Sequence, residues 1–241
     1  MGKSRELSMM SNYVDQTDYE RWKQGCRESF QELVVDPGRT IVICLGGAGS
    51  NFANRFNDDG LDSTVPTVFM RKPNAYPTRA TYKIPMTSLN NDVKTQLINI
   101  LKNEEIRNVV IVCGLARSSG SIASEIGKYL KNEGFKVFVA CFYPFSFEYN
   151  GLLDQADRNL FTLRELNLDG ILLIENDKIK SFASKEALLP DVMALIDEPI
   201  KEFIFRICAF EKKTMNEIPQ SAFTPTYEAE VEEIINSMKE I

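Results

Sequence analysis

The chain has 241 residues, 44% of them hydrophobic, and a formal net charge of -6. That much apolar content can fill one large core or two small ones, which excludes disorder as the default state. The acidic balance excludes a protein that lives on nucleic-acid phosphates or on an anionic membrane surface, though a local basic pocket for a small anion stays open.

Residues 1–10 are polar and carry no apolar signal core, and no run approaches the ~18 apolar residues that a membrane-crossing helix requires. A cytoplasmic protein with no membrane insertion is expected. Residues 12–34 then read as an amphipathic helix, with Tyr19, Trp22, Cys26, Phe30 and Leu33 recurring at spacings of three and four. Asp36-Pro37-Gly38 ends it. Residues 40–45 are continuously apolar, as a strand buried on both faces should be. They run into Gly46-Gly47-Ala48-Gly49-Ser50-Asn51 and a predicted helix over 52–57.

A second strand is predicted over 67–70, followed by a passage with Pro73, Pro77 and Pro85 that excludes regular helix. Residues 88–103 show helical spacing. Residues 109–113 form another buried strand, delivered into a small-residue turn over 114–121. A helix follows and stops at Gly134, which suits a left-handed cap. A strand over 137–142, a helix over 150–166 and a strand over 170–174 come next. Residues from about 186 to 213 read as helical, with the long helix itself predicted over about 197–213 and Pro199 in its first turn. The tail, 226–241, is Glu-rich and reads as a short helix. Alternating strands and helices, with the strands apolar on both faces, predict a doubly wound, mainly parallel α/β sheet with helices on both faces.

Five cysteines are spread singly and histidine is absent. The missing C-x-x-C pairs and histidine ligands make Cys26, Cys44, Cys113, Cys141 and Cys208 structural, and chemistry must use carboxylates, hydroxyls, amides or hydrated magnesium. In such a sheet, ligands sit beyond the carboxyl ends of the strands. The first loop there, residues 46–51, is glycine-rich and opens a helix, so its backbone N–H groups can approach a phosphate. It is neither a strict G-x-G-x-x-G, since Phe52 stands where the third glycine belongs, nor a P-loop.

Further loops sharpen the pattern. Pro144-Phe145-Ser146-Phe147-Glu148 follows one strand, then Asp154-Gln155-Ala156 and Leu163, then Ile174-Glu175-Asn176-Asp177 ends the next. Together with LGGAGSNFANRF over 45–56, these resemble the FtsZ/tubulin superfamily, in which the opening reads GGAGGNAVNRM and the later loops Pro-Phe-Ser/Asn-Phe-Glu and Ile-Pro-Asn-Asp. The resemblance spans roughly 39–216. It implies an N-terminal helical extension over 1–38, a nucleotide-binding domain over 39–216 and a tail over 217–241.

The resemblance also implies a ligand, GTP or GDP, and roles for the matched residues. Gly46, Gly47, Ala48 and Gly49 would face the phosphates, and Asn51 would reach toward the base. Glu148 would hold the ribose hydroxyls and Asn176 would read the guanine edge. Asp197 and Glu198 stand where the family places an Asn-Asp pair against guanine; Asp197 also reads as a helix cap ahead of Pro199. Glu148 and Asn176 likewise read as loop residues that cap helices.

The family's second phosphate run, GGGTGTG, is Ala116-Arg117-Ser118-Ser119-Gly120-Ser121-Ile122 here. Arg117 and the serines Ser118, Ser119 and Ser121 would hold an anion through side chains, beside Gly120. Leu152 replaces the arginine that usually follows the Pro-Phe-Ser-Phe-Glu loop, and residues 71–85 lack the family's Asn-Thr-Asp and its glycine-rich lid. Both departures weaken the expectation of Mg2+. For hydrolysis, Asn216 and Glu217 are the candidates left where the family places two aspartates, and the family's second domain is absent from the sequence.

The expected function is therefore a guanine-nucleotide-binding protein of a cytoskeletal or cell-division system with weak or absent hydrolysis. Its expected partner is itself or a related FtsZ/tubulin-like protein. The alternatives are an assembly-dependent GTPase that forms filaments, and a nucleotide-free pseudo-GTPase that docks through its tail. A dehydrogenase that uses Gly47-Ala48-Gly49, with Arg71 and Lys72 on an NADP phosphate, lacks a proton relay.

Overall fold

The computed structural model describes residues 13–208 apart from 34, 36–37, 72–78, 185 and 188. The expected Asp36-Pro37 turn, Lys72, the hydrolytic candidates Asn216 and Glu217, and the tail helix lie outside these residues.

Helix α1 (Gln16–Glu28) leads into β1 (Arg39–Leu45) and α2 (Gly46–Asp58), then β2 (Thr67–Arg71) and β3 (Tyr82–Pro85). Helix α3 (Asn91–Asn103), β4 (Ile106–Gly114), α4 (Ser118–Asn132), β5 (Lys136–Tyr143), α5 (Asn150–Glu165), β6 (Gly170–Glu175) and α6 (Leu189–Cys208) complete the chain. All five strand pairings are parallel, in the order β3-β2-β1-β4-β5-β6. The sheet is thus wholly parallel rather than mainly so. Right-handed crossovers dictate the layering. From β1 the chain steps one way to β2, with α2 on one face. From β4 it steps the other way to β5 and β6, with α4 and α5 on the opposite face.

Alternate residues of each strand feed the two cores. Val42 and Cys44 of β1 pack with Phe52 and Phe56 of α2 and Phe203 of α6. Ile41, Ile43 and Leu45 pack with Leu97 and Leu101 of α3 and Ile126 of α4. The residues of β1 from Thr40 on are buried, which is why the strand reads as a continuous apolar run instead of an alternation. The five cysteines are buried and unbridged. Burial pushes the Cys26 and Cys113 thiols up to about 12, so they pack as small hydrophobes.

Three elements differ from expectation. β3 lies inside the Pro-rich passage; it is an edge strand and Pro85 is its last residue, where a missing N–H breaks no ladder. The glycine-rich run is not a loop ahead of a helix but the first turns of α2 itself. And α6 starts ten residues before Pro199, which therefore sits inside the helix. An internal proline leaves the carbonyl four residues earlier without its helical donor. That carbonyl is Leu195, and the hydroxyl of Tyr19 on α1 donates to it at 3.2 Å.

α1 is tied to α6 more widely. Arg27 makes two bonds to Glu202 at 2.8 and 2.9 Å, and Lys23 reaches the same carboxylate at 3.2 Å. Tyr19, Trp22 and Phe182 form an aromatic cluster beside them. Among the described residues no helix is long and apolar enough to cross a membrane.

The Tyr19 contact yields a test. Tyr19→Phe should cost about 1–3 kcal/mol in urea denaturation, because it strands a buried carbonyl. In a Pro199→Ala background, where residue 199 regains its N–H, the same substitution should cost much less.

Candidate functional site

Strand order reverses between β1 and β4, so the loops that leave these two strands diverge over opposite faces and open a crevice at the carboxyl edge of the sheet. The two helices that start there, α2 and α4, have no side-chain cap on their first turns: their N-cap residues are Leu45 and Arg117. By contrast α1 and α3 are capped by Asp15 and Asn90. The first four N–H groups of a helix have no intrahelical acceptor, and without a cap they remain available to an anion.

The two helix starts are in contact. Gly46 has φ 67, and a Cβ on it would lie 2.9 Å from the Ser119 Cβ. A Cβ on Gly49 would lie 2.7 Å from the Val112 carbonyl oxygen, so only glycine lets α2 pack this closely on β4. Gly47 has nothing within 4 Å of its would-be Cβ, and Ala48 and Asn51 follow on the same opening turns, with Asn51 exposed.

In the second loop Ser119 Oγ donates to the Gly114 carbonyl at 2.8 Å, and Ser121 Oγ to the Ser118 carbonyl at 3.1 Å. Both hydroxyls are engaged with their own backbone. Arg117 and Ser118 are exposed, and Gly120 is buried against Asn159 of α5. Arg117 has φ 71 and ψ -169, a region that is essentially reserved for glycine and costs other residues about 1–3 kcal/mol.

Glu148 and Asn176 leave β5 and β6. Glu148 Oε1 accepts the Phe145 N–H at 2.9 Å and closes its own loop, while Asn176 opens a short 3-10 turn, Asn176–Ser181. The two loops are joined, because Asp177 accepts the Ser146 N–H at 3.0 Å and Lys180 donates to Ser146 Oγ at 3.1 Å. The carboxyl ends of β1, β4, β5 and β6 thus line up over three strand spacings of roughly 4.8 Å each, the length of an extended nucleoside diphosphate.

Asp197 lies mid-helix in α6, not at its cap, and is fully buried. Arg55 of α2 donates its Nε to Asp197 Oδ2. Desolvation pushes the Asp197 carboxyl up to about 6, with Arg55 and Lys201 pulling the other way. Neighbouring Glu198 accepts from Lys201 at 2.7 Å, and Lys201 also reaches Asp59 at 2.7 Å. Burial would lower the Lys201 ammonium, but Glu198 and Asp59 raise it overall. Glu198 is therefore held within α6 and against the end of α2. The Oδ1 atoms of Asn176 and Asp197 are both buried without a hydrogen-bond partner. Nη2 of Arg55, whose Nε already pairs with Asp197, is unpartnered as well, so within the site Asn176 Oδ1 is the acceptor that calls for an outside donor.

A cleft of about 610 Å³, lined by Gly38, Arg39, Lys102, Arg107 and Phe135 among others, lies at the opposite end, where the strands begin. It takes no part in this site.

No family model matches the chain. It is 26% identical over 191 residues to the cell division protein FtsZ of Aquifex aeolicus (strain VF5), a match that covers 72% of this chain and 52% of that protein. An FtsZ dimer from M. jannaschii superposes with a TM-score of 0.57 at 20% identity, over 77% of this chain and 59% of the other. CetZ1 from Haloferax volcanii, a GDP-bound monomer, gives a TM-score of 0.53 at 18% identity, over 76% and 64% of the two chains.

In sequence and in fold the chain is similar to members of the FtsZ/tubulin superfamily. It spans about half the length of the curated FtsZ that it matches. Within the superfamily fold, the matched residues 46–51, 116–121, 148 and 176 share one edge of the sheet. Burial raises the Cys44 thiol of β1, and the nearby Asp197 carboxylate raises it further.

Two site-forming residues have no role in the sequence reading, Arg55 although it lies within the matched run over 45–56 and Asn159 because it lies in no matched motif. Arg55 lies between the buried Phe52 and Phe56, and Asn159 between the buried Ala156 and Leu160. The signal for both is the same: a polar side chain on or beside an apolar stripe of helical period needs a partner.

The raised Asp197 carboxyl sets a pH dependence. Between about pH 4 and 6 the folded chain keeps a proton that the unfolded chain has released. Stability is therefore highest below pH 4 for this group and is lost as pH rises through 6. The shift from 3.8 to about 6 corresponds to about 3 kcal/mol. Chemical denaturation of wild type and Asp197→Asn across pH 4–7 should differ by a term of that size and sign.

Proposed function

We propose that the chain binds a guanine nucleotide across the carboxyl edge of its sheet, as a component of a cytoskeletal or cell-division system with weak or absent GTP hydrolysis. The observation that carries this reading is the buried acceptor Asn176 Oδ1, left without a partner at the carboxyl edge. Guanine offers N1–H and N2–H donors on one edge, and a buried acceptor gains most from such donors. The uncapped starts of α2 and α4 support the phosphate end of the same ligand.

In this arrangement the N–H groups of Gly46, Gly47, Ala48 and Gly49 meet the phosphates from one side, with Asn51 toward the base. Arg117, Ser118, Ser119, Gly120 and Ser121 meet them from the other. Glu148, with Oε1 committed to its loop, has Oε2 left for a ribose hydroxyl. Glu198, tied to Lys201, acts on the base only through the placing of Asp197. The GDP carried by the Haloferax volcanii neighbour is consistent in kind.

Weak hydrolysis follows from the departures in residues 116–122 and from a catalytic pair reduced to Asn216 and Glu217. Among the described residues no group of three His, Cys, Asp or Glu could hold a metal ion, so Mg2+ would be carried by the phosphates themselves. The proposed protein partner is a second copy or a related FtsZ-like chain, by analogy with the dimeric M. jannaschii neighbour.

GDP at ~100 times its Kd should stabilise the fold by ~2.7 kcal/mol, and ATP at the same concentration should not. The absence of any melting shift with GDP or GTP would refute nucleotide binding. Asn176→Ala should weaken GDP far more than it lowers the melting temperature; parallel losses would reduce Asn176 to a structural residue.

A further inference from the structure

Arg117 holds a conformation that a side chain disfavours, and a buried group keeps it there. Asn159 extends from the apolar stripe of α5 to the loop ahead of α4, and it is 8% exposed. Its Nδ2 donates to the Leu115 carbonyl at 2.7 Å and, at a longer 3.4 Å, to the Arg117 carbonyl. The same amide rests on Gly120, where a Cβ would lie 2.5 Å from Nδ2. Glycine at 120 is therefore what lets Asn159 approach.

A trans peptide points its C=O and its N–H in opposite directions. Drawing the Leu115 and Arg117 carbonyls down onto α5 turns the next N–H groups, of Ala116 and Ser118, away from α5. Ser118 N–H is one of the uncapped groups that open α4. We propose that Asn159 is a positioning residue that holds the 115–118 backbone in its strained form so that these N–H groups face the nucleotide phosphates. This rests on the nucleotide reading above. Asn159 touches no phosphate itself; it acts through the Leu115–Ala116 and Arg117–Ser118 peptides.

Two measurements test it together. In titration calorimetry, Asn159→Ala should weaken GDP by about ten-fold or more, the loss of a charge-assisted hydrogen bond. Guanosine, which has no phosphate, should bind as to wild type. Equal loss for both ligands, or no loss for GDP, overturns the positioning role. The second measurement uses thermal melting without ligand. Arg117→Gly should raise the melting temperature by relieving the positive φ, and Asn159→Ala should cost less in that background than in wild type. Additive shifts overturn the clamp.

If Asn159→Ala does not fold alone, Asn159→Ser gives the same comparisons, since its hydroxyl is too short to reach Leu115. Should wild type bind neither GDP nor guanosine, the nucleotide reading fails, and the phosphate role of Asn159 fails with it. The melting cycle then still decides whether Asn159 braces Arg117.

Discussion

The approach of α2 to β4 at Gly49, with Gly46 against Ser119, is the constraint on which the carboxyl edge depends. A parallel sheet must cover both faces, so its connections must diverge somewhere, and here they do so between β1 and β4. Divergence alone leaves a gap. Only the absence of side chains at positions 46 and 49 lets the two helix starts close on each other and present their N–H groups together. The close packing of the two helix starts and the joint exposure of their N–H groups are thus consequences of one steric fact.

The opposite layer shows how a local defect is accommodated. Pro199 breaks the helical hydrogen bond to Leu195, and α1 supplies the missing donor through Tyr19. The ion pairs of Lys23 and Arg27 with Glu202 lie one turn further along α6. Between Pro199 and the carboxyl edge stands Asp197, buried and engaged by Arg55 from α2. A buried carboxylate is tolerated when a guanidinium pairs with it, and the pairing here joins the helix that carries the glycine-rich start to the longest helix of the domain.

The second loop holds a strained backbone in which a residue with a side chain takes a glycine-like conformation. Arg117 is that residue, and Asn159 meets its carbonyl from the neighbouring helix. The positive φ of Arg117 coincides with a contact from Asn159, 42 positions further along the chain. The loop is best understood as a backbone presentation held from below, not as a set of serine side chains, since Ser119 and Ser121 bond their own carbonyls.

The chain order of strands and helices was legible because each buried strand is a short continuous apolar run and each helix repeats its apolar residues at three and four. The glycine-rich run and the Pro-Phe-Ser-Phe-Glu loop were legible because their chemistry is local. β3 escaped notice because an edge strand of four residues ending in proline carries no burial pattern. The extent of α6 was misread because Pro199 signals a helix start unless a donor 180 residues earlier in the chain is known. The pairing of Arg55 with Asp197 and of Asn159 with Leu115 joins residues 142 and 44 positions apart. By itself the amino-acid order determined the layers, the resemblance to the FtsZ/tubulin superfamily and the edge that carries the loops, since these rest on local periodicity and turn chemistry. Which buried polar atoms are satisfied, and which are left for a ligand, was decided only by tertiary structure, because hydrogen-bond satisfaction depends on partners that sequence separation hides.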